Sequence, residues 1–458
     1  MMHVIIGGGA AGITAAREIR GWQPDAQIVM ICADEQVHSR CMLHKYLSHE
    51  RTAEELDFTE EGFFDKNRIV QIHDRVVSVN TEKKEVSLAS ERQIAYDRLL
   101  IATGADSVIP PVGDLRKAEN VFGLRHLSDA QKIDRMAETS DEILIIGAGL
   151  VGLDAAYGLL ERGKKVTVVE MAPRILPVQL DEHGAKAYQE LFEKAGVTFR
   201  LGCRAQNAAC GADNRIHSVE LDSGETIACD MIIVAAGVRP SSGFLENSGI
   251  KAERGIEVTS RMETNVKDVY AAGDVTGLSG IWPNAMKQGK MAARNMCGIK
   301  PGPGVDTEYT DTFAAKNTIN FFGLETLCLG ALQPEEGDEV LVEEDMHIYR
   351  RAILREGKVR GILLQGDIGC CIQGATVYHK GIRSITDQAH AVVLHTSGIM
   401  EINIWGLVST GIAPQLHSPI VVELERVASR IEHLEGIPIN LRSDSSVFGI
   451  ADGDPAVM

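Results

Sequence analysis

The stretch HVIIGGGAAGITAAREI, residues 3–19, decides the fold class of this chain. Its apolar start predicts a short strand, its glycines a tight turn, and its alanine-rich end a helix. The spacing Gly7-x-Gly9-x-x-Gly12 supplies glycine for the tight turn, for close approach of a phosphate to the backbone, and for close helix–strand packing. The stretch therefore predicts a strand–turn–helix unit whose helix N-terminus receives a pyrophosphate.

The same unit returns in DEILIIGAGLVGLDAAYGLLERG, residues 141–163, with glycine at Gly147, Gly149 and Gly152. Each copy continues into a second strand, a segment of period-two strands, and an apolar closing strand, YDRLLIATGA in the first and CDMIIVAAGVRP in the second. One such glycine motif is weak evidence, but two in the same setting predict two α/β domains of Rossmann type. Two dinucleotide sites are most economically filled by a bound flavin and a diffusing nicotinamide.

An acidic residue after each second strand is expected to hold a ribose hydroxyl. In the second copy this residue is Glu170, and its carboxylate favours NAD over NADP because it would repel a 2′-phosphate. In the first copy Asp34 and Glu35 both fit the position, and the sequence leaves the choice open.

The composition and net charge of the chain exclude some classes of binding partner. The chain has 458 residues, 44% of them hydrophobic, and a formal net charge of −18. That charge argues against nucleic acid and anionic lipid as partners. No stretch reaches the ~18–20 apolar residues of a membrane helix, and no signal peptide is visible. The nine cysteines form no CxxC pair, which fits a reducing, cytoplasmic setting.

The stretch VYAAGDV, residues 269–275, adds a third motif, in which Gly273 allows close backbone approach and Asp274 can accept a hydrogen bond from a ribityl chain. With the two glycine motifs and the two closing strands, it resembles the FAD-dependent pyridine nucleotide-disulfide oxidoreductase superfamily over residues 1 to about 300. The segment HSRCMLHKYLSHE, residues 38–50, is most similar to the flavin region of NADH-dependent nitrite reductases and to rubredoxin reductases.

The resemblance implies two Rossmann-like domains, for FAD and NAD, plus a C-terminal α+β interface domain, and hydride transfer from nicotinamide to flavin. The implied FAD domain is discontinuous, residues 1–112 and 243–305, around an NAD domain at 113–242. The interface domain covers 306–390, and the extension 391–458 is a candidate for partner docking, with a helix expected at 418–436. The further implied cofactor contacts are Arg40, Thr103, Gly104, Gly237 and Trp282.

The segment around Cys41 matches two branches of that superfamily. Its spacing to Leu43 and Tyr46 is similar to single-cysteine coenzyme A-disulfide reductases and NADH oxidases. Arg40 and Lys45 instead match electron-transfer reductases, where a lysine stabilises reduced flavin.

The resemblance implies that Lys45 pairs with an acid on the helix after the second glycine motif. That position is Asp154, which is one methylene shorter than the usual glutamate, so the expected pair is longer or bridged by water.

Two other groups of cysteine and histidine residues have the composition of a metal site or a redox centre. His38, Cys41, His44 and His49 have a metal-like composition, but they are interpreted as ordinary side chains around a cofactor, and no metal is expected. Cys370 and Cys371 are interpreted as apolar filling of the third domain.

Three functional hypotheses follow. In the leading one, an FAD protein oxidises NADH and passes electrons to a separate redox protein or complex subunit. In the second, Cys41 acts as the thiol of a coenzyme A-disulfide or polysulfide reductase or an NADH oxidase. In the third, a non-catalytic flavoprotein scaffold senses NADH. Homo-oligomers and hetero-oligomers are both compatible with the sequence.

Overall fold

The computed structural model describes residues 1–310, 316–345, 347–356, 358–366, 390–395 and 398–403. Residues 1–372 and 396–399 belong to one structural unit, and the rest belong to a second. Cys370, Cys371 and the helix expected at 418–436 lie outside the described residues. Among the described helices, none is long and apolar enough to cross a membrane.

The elements are numbered in chain order. The helices are α1 Ala10–Trp22, α2 Leu43–Leu47, α3 Phe63–Lys66, α4 Leu127–Ala137, α5 Leu150–Leu160, α6 Glu182–Lys194 and α7 Trp282–Met296. The strands of the first half are β1 Met2–Ile6, β2 Gln27–Cys32, β3 Ile69–His73, β4 Val76–Asn80, β5 Glu85–Leu88, β6 Gln93–Ala95, β7 Arg98–Ile101, β8 Ala105–Ser107, β9 Val121–Gly123, β10 Glu142–Ile146, β11 Lys165–Glu170 and β12 Thr198–Leu201. The remaining strands are β13 Ala205–Asn207, β14 Ser218–Leu221, β15 Thr226–Ala228, β16 Met231–Val234, β17 Val238–Pro240, β18 Val269–Ala271, β19 Lys316–Phe321, β20 Leu324–Gly330, β21 Glu339–Glu344, β22 Ile348–Arg355, β23 Lys358–Gly366, β24 His390–His395 and β25 Gly398–Asn403.

Two five-stranded parallel sheets form the core of the first 300 residues. Their strand orders are β18-β7-β1-β2-β3 and β12-β11-β10-β16-β9. The central strands β1 and β10 are buried almost throughout, as parallel strands covered on both faces must be. The predicted fold class of two Rossmann-like α/β domains is therefore confirmed.

The two sheets are built alike down to single hydrogen bonds. Gly7 N donates to the Ile31 carbonyl of the neighbouring strand β2 at 2.8 Å. Gly147 N makes the equivalent bond to the Val169 carbonyl of β11, also at 2.8 Å. Each sheet carries a small antiparallel meander, β4-β5-β6 in the first and β13-β14-β15 in the second. The period-two segments of the sequence account for these meanders.

A third sheet, with strand order β19-β20-β23-β22-β21, is antiparallel throughout. It packs on helices α5 and α6 of the second nucleotide-binding domain, where Phe321 and Phe192 lie with ring centroids 5.1 Å apart. The Tyr188 hydroxyl is hydrogen-bonded to the Leu324 carbonyl. The strands of this sheet lie within residues 306–390, the range predicted as a third domain, and β24 and β25 pair separately.

Helix α2 of the first domain crosses α5 of the second at Gly158. A Cβ at that position would lie 2.7 Å from the His44 carbonyl oxygen and 3.2 Å from the Leu47 Cβ. The absence of a side chain at Gly158 therefore lets the two nucleotide-binding domains meet through these helices, and Leu47 is fully buried there.

Gly12→Ala should destabilise the protein, because the added Cβ would lie 2.0 Å from the Gly7 carbonyl oxygen. Gly9→Ala is the matched control, since a Cβ there meets no heavy atom within 4 Å. We expect Gly12→Ala to cost about 1–3 kcal/mol, as overpacking against rigid backbone does, and Gly9→Ala to change stability little. Urea unfolding followed by circular dichroism measures both, and equal losses would contradict the role given to Gly12.

Candidate dinucleotide-binding and redox site

The two glycine turns share one backbone geometry. Gly7 and Gly147 have φ of +109° and +110°, in the region that favours glycine. A Cβ on them would lie 2.2 and 2.5 Å from a carbonyl oxygen just after the closing strand. Gly9 and Gly149 begin the following helices, and no side chain caps either helix. The first backbone N–H groups of both helices therefore remain available to a phosphate.

A cavity of about 370 Å³ opens over the first glycine turn. Asp34, Arg40 and Thr103, all expected as cofactor contacts, line it. Glu35 is exposed and does not line it. The structure therefore places Asp34, and not Glu35, where a ribose bound over the turn would lie.

The carboxylate of Asp34 is held by positive neighbours. His126 Nδ1 lies 3.0 Å from Asp34 Oδ1, and Arg40 Nη2 lies 3.9 Å from Asp34 Oδ2. Burial alone would raise the pKa of Asp34, but the hydrogen bond from His126 and nearby positive charges lower it. Asp34 is therefore ionised at neutral pH and suited to accept hydroxyl groups.

His126 bridges two carboxylates. Its Nε2 lies 3.7 Å from Asp106 Oδ1, while its Nδ1 faces Asp34. Burial works to lower the pKa of His126, but the bonds to Asp106 and Asp34 outweigh it and raise that pKa. His126 is also the N-cap residue of α4. No sequence motif predicted His126 as a site residue. Its place in the site depends on the approach of α4 to the first domain, which a local motif does not encode.

Asp34, His38 and His126 bring three potential metal ligands within 4.8 Å of one another. His38 is nevertheless fully used by the protein. Its Nδ1 lies 3.1 Å from the Gln36 carbonyl, so this nitrogen carries the proton, and its Nε2 accepts the Leu127 N–H at 3.2 Å. With no lone pair left, His38 serves as a link to the first turn of α4.

The other members of the histidine–cysteine set point elsewhere. Cys41, His44 and His49 join no three-residue ligand group within the described part of the chain. His49 Nε2 lies 2.7 Å from Asp134 Oδ1 on α4 and is exposed.

A second, smaller cavity of about 80 Å³ lies beside the first and shares Arg40 with it. Five residues that the sequence analysis named as site residues line this cavity, namely Cys41, Gly104, Gly273, Asp274 and Trp282. The N-terminus of α7 borders it through Trp282 and Ala285. Elements far apart in sequence thus converge on one cleft.

Arg40 and Arg125 lie at the junction of the two cavities. Arg125 is paired with Asp274 and also donates from Nε to the Ala105 carbonyl at 3.0 Å. Arg40 Nη1 is buried and has no hydrogen-bond partner among the described residues. An unused buried donor of an arginine is costly unless an anion or carbonyl fills the space beside it. The glycine cradle, this donor and the Asp34 carboxylate together fit a dinucleotide.

Cys41 lies on the wall of the smaller cavity and is exposed. The protein bulk around it and the negative charge of Asp154 raise the pKa of its thiol. No second cysteine lines this cavity. The surroundings of Cys41 therefore favour the thiol over the reactive thiolate.

No direct ion pair joins Lys45 to Asp154 among the described residues, although the charge of Lys45 acts to lower the pKa of Asp154. Lys45 Nζ lies 2.6 Å from Glu50 Oε2, because the chain turns back just after α2. The closest titratable neighbour of Asp154 is His44, whose Nδ1 lies 3.6 Å from Asp154 Oδ1.

Glu170 lies beside the second glycine turn. Glu170 ends β11, and its two carboxylate oxygens accept the N–H groups of Ala148 and Ala172 at 2.8 Å each. The carboxylate is thereby fixed beside the turn, in the place expected of a ribose ligand. Gly237, also expected at this site, has φ of +102° and is exposed after β16.

The family model for pyridine nucleotide-disulphide oxidoreductases matches residues 1–289. The chain belongs to the pyridine nucleotide-disulphide oxidoreductase family. That span includes both parallel sheets and both cavities. The resemblance given by the sequence motifs is therefore confirmed.

Individual relatives agree with this membership. The nitrite reductase [NAD(P)H] of Bacillus subtilis is 29% identical over 80% of this chain, and the chain spans 45% of its length, about half of that relative. Rubredoxin-NAD(+) reductase of Acinetobacter baylyi is 31% identical over 65% of this chain and 79% of its own. The ferredoxin reductase for the CYP199A2 system from Rhodopseudomonas palustris is 25% identical, with a TM-score of 0.71 over 80% of this chain and 91% of that one.

His126→Asn should lower stability more in acid than in base. The folded pKa of His126 is raised above its ordinary value of 6.5, so its bonds to Asp34 and Asp106 contribute fully below that pH. The contribution is lost as pH rises through the folded pKa. The difference in melting temperature between wild type and variant should therefore be larger at about pH 6 than at about pH 9. His217→Asn, which removes an exposed pair with Asp213, is the control, and a pH-independent difference for His126→Asn would refute the assignment.

Proposed function

We propose that this chain is an FAD-dependent NADH oxidoreductase that passes electrons to a separate redox protein or partner subunit. The observation that carries the proposal is the pairing of two equivalent glycine turns, the first of which opens on a cleft lined by groups suited to a flavin dinucleotide: Asp34, Arg40 and Asp274. Family membership supplies the reaction class.

In this proposal the first domain holds FAD. The uncapped N-terminus of α1 receives the pyrophosphate, and Asp34 accepts the ribose hydroxyls. Arg40 lines both cavities, and its unpartnered Nη1 is available to FAD. Asp274, held by Arg125, and Trp282 border the smaller cavity, where the isoalloxazine end would lie.

The second domain holds NADH in this proposal. The N-terminus of α5 receives its pyrophosphate, and Glu170 accepts its ribose hydroxyls. FAD, when bound, would supply the redox chemistry that links a hydride donor to a one-electron acceptor. The chain's own residues bind and orient the two nucleotides, and Arg40 and Arg125 supply positive charge at the smaller cavity.

The nature of the relatives supports a protein acceptor. One is named for transfer between rubredoxin and NAD(+), and another, of which this chain spans about half, is a nitrite reductase. No cysteine pair lines the smaller cavity to carry a dithiol relay. The electrons would therefore leave the flavin for a centre on another polypeptide.

The single-cysteine alternative rests on one observation, the exposed position of Cys41 on the cavity wall. The raised pKa of that thiol argues against it, because the thiolate is the form that attacks a disulfide.

Cys41→Ser decides between the two candidates. We expect NADH to bleach the flavin of wild type and variant at rates within about twofold, on the sub-second scale usual for such enzymes. Neither protein should reduce coenzyme A disulfide with NADH. Stopped-flow absorbance measures the first reaction and thiol release the second. Disulfide reduction that is present in wild type, lost in Cys41→Ser and kept in Cys210→Ser would establish the alternative, and absent bleaching in wild type would leave only a non-catalytic scaffold.

Glu170→Gln should weaken the preference for NADH. The substitution removes the negative charge that accepts ribose hydroxyls and repels a 2′-phosphate. We expect the ratio of kcat/KM for NADH to that for NADPH to fall about tenfold, measured with an artificial dye as acceptor. Glu161→Gln, an exposed acid that follows α5, is the matched control. An unchanged ratio in Glu170→Gln would remove Glu170 from the nucleotide site.

A further inference from the structure

The contact between α2 and α5 brings an unpartnered imidazole nitrogen close to a carboxyl group. Gly158 lets the His44 carbonyl approach α5, and Asp154 lies one helical turn before Gly158 on the same face. His44 therefore projects toward Asp154 across the boundary between the two nucleotide-binding domains. The His44 Nδ1 to Asp154 Oδ1 distance is 3.6 Å.

His44 has a backbone hydrogen bond with Cys41, but its Nδ1 and the Asp154 carboxyl have no other hydrogen-bond partner among the described residues. His44 Nδ1 is buried and makes no hydrogen bond among the described residues. The Asp154 side chain is 27% exposed. Lys45, the cation expected to neutralise Asp154, is bound to Glu50 at 2.6 Å. A buried acceptor nitrogen beside an unpaired carboxyl is satisfied when the carboxyl carries a proton and donates it.

We propose that Asp154 and His44 form a proton-sharing pair across the domain boundary, in which protonated Asp154 donates to His44 Nδ1. In its protonated state the pair shares one proton and carries no net charge. When that proton leaves to solvent, the pair becomes singly negative, and no electron moves. The pair takes the place of the lysine–acid pair, and His44 acts as a positioning residue for Asp154.

The electrostatic surroundings agree with this arrangement. Burial raises the pKa of Asp154 to about 7, although Lys45 works in the opposite direction. Burial, with Lys45 next, lowers the pKa of His44 to about 4, against the opposing effect of Glu50. Of the other charged groups on packed elements, Arg51 acts weakly on His44, and Asp134 on α4 is occupied by His49 and Arg162.

The charge of this pair is felt in the smaller cavity. Asp154 is the largest charge effect on the thiol of Cys41, which lines that cavity. A negative Asp154 would therefore oppose the negative charge that a flavin acquires on reduction, whereas a neutral pair would not. This consequence rests on the proposed function: reduction of the flavin by NADH should slow as pH rises through about 7.

The first test compares wild type with Asp154→Asn and His44→Ala, using flavin-loaded full-length protein. Wild type should show a protonated-carboxyl band in infrared difference spectra that disappears as pH rises through about 7. Asp154→Asn should lack the band. In His44→Ala the carboxyl loses its acceptor and gains water, so the band should titrate at least about one pH unit lower. A band that titrates identically in wild type and His44→Ala would overturn the pairing.

The second test measures the rate of flavin bleaching by NADH between about pH 6 and 8.5. One unit above its pKa about a tenth of a carboxyl stays protonated, so the wild-type rate should fall several-fold across the range. Asp154→Asn should be flat. His49→Ala, which removes a nearby exposed histidine, should follow wild type. A wild-type slope that persists in Asp154→Asn would overturn control by the pair, whereas absent bleaching would overturn the proposed function and leave the infrared result to decide the pair.

Discussion

Backbone contact at the glycine turns is the constraint on which the rest of the molecule depends. At Gly7 and Gly147 a side chain would collide with the carbonyl after the closing strand, and at Gly12 and Gly152 it would collide with the turn itself. Only a bare backbone lets each helix start directly above the central strand. Each helix N-terminus therefore lies at the carboxyl edge of its own parallel sheet, which is the edge where phosphates bind in folds of this type.

The second constraint is the crossing of α2 and α5 at Gly158, which joins the two domains. The short segment from Arg40 to Glu50 thereby touches both domains. Its first residue lines the cleft of the first domain, and its helix packs on the second domain. A change in the position of either domain would be transmitted through this segment, since its side chains touch both.

The sequence predicted the parts of the site that repeat along the chain. Gly7, Gly147, Asp274 and Glu170 follow local motifs, and each lies at the turn or strand end that its motif implies. His126 and the Lys45–Glu50 pair escaped prediction. Their partners depend on how α4 and the end of α2 approach other segments, and no local pattern encodes such distances.

The sequence by itself determined the fold class, the two nucleotide-binding turns and the family, because glycine spacing and strand patterning are local consequences of backbone sterics. Only the tertiary structure shows that Asp34 lines the cavity whereas Glu35 does not, that both ring nitrogens of His38 are hydrogen-bonded within the protein, and that His44 lies beside Asp154. Those outcomes depend on which side chains meet across domains, and burial there sets the protonation that makes each pairing stable.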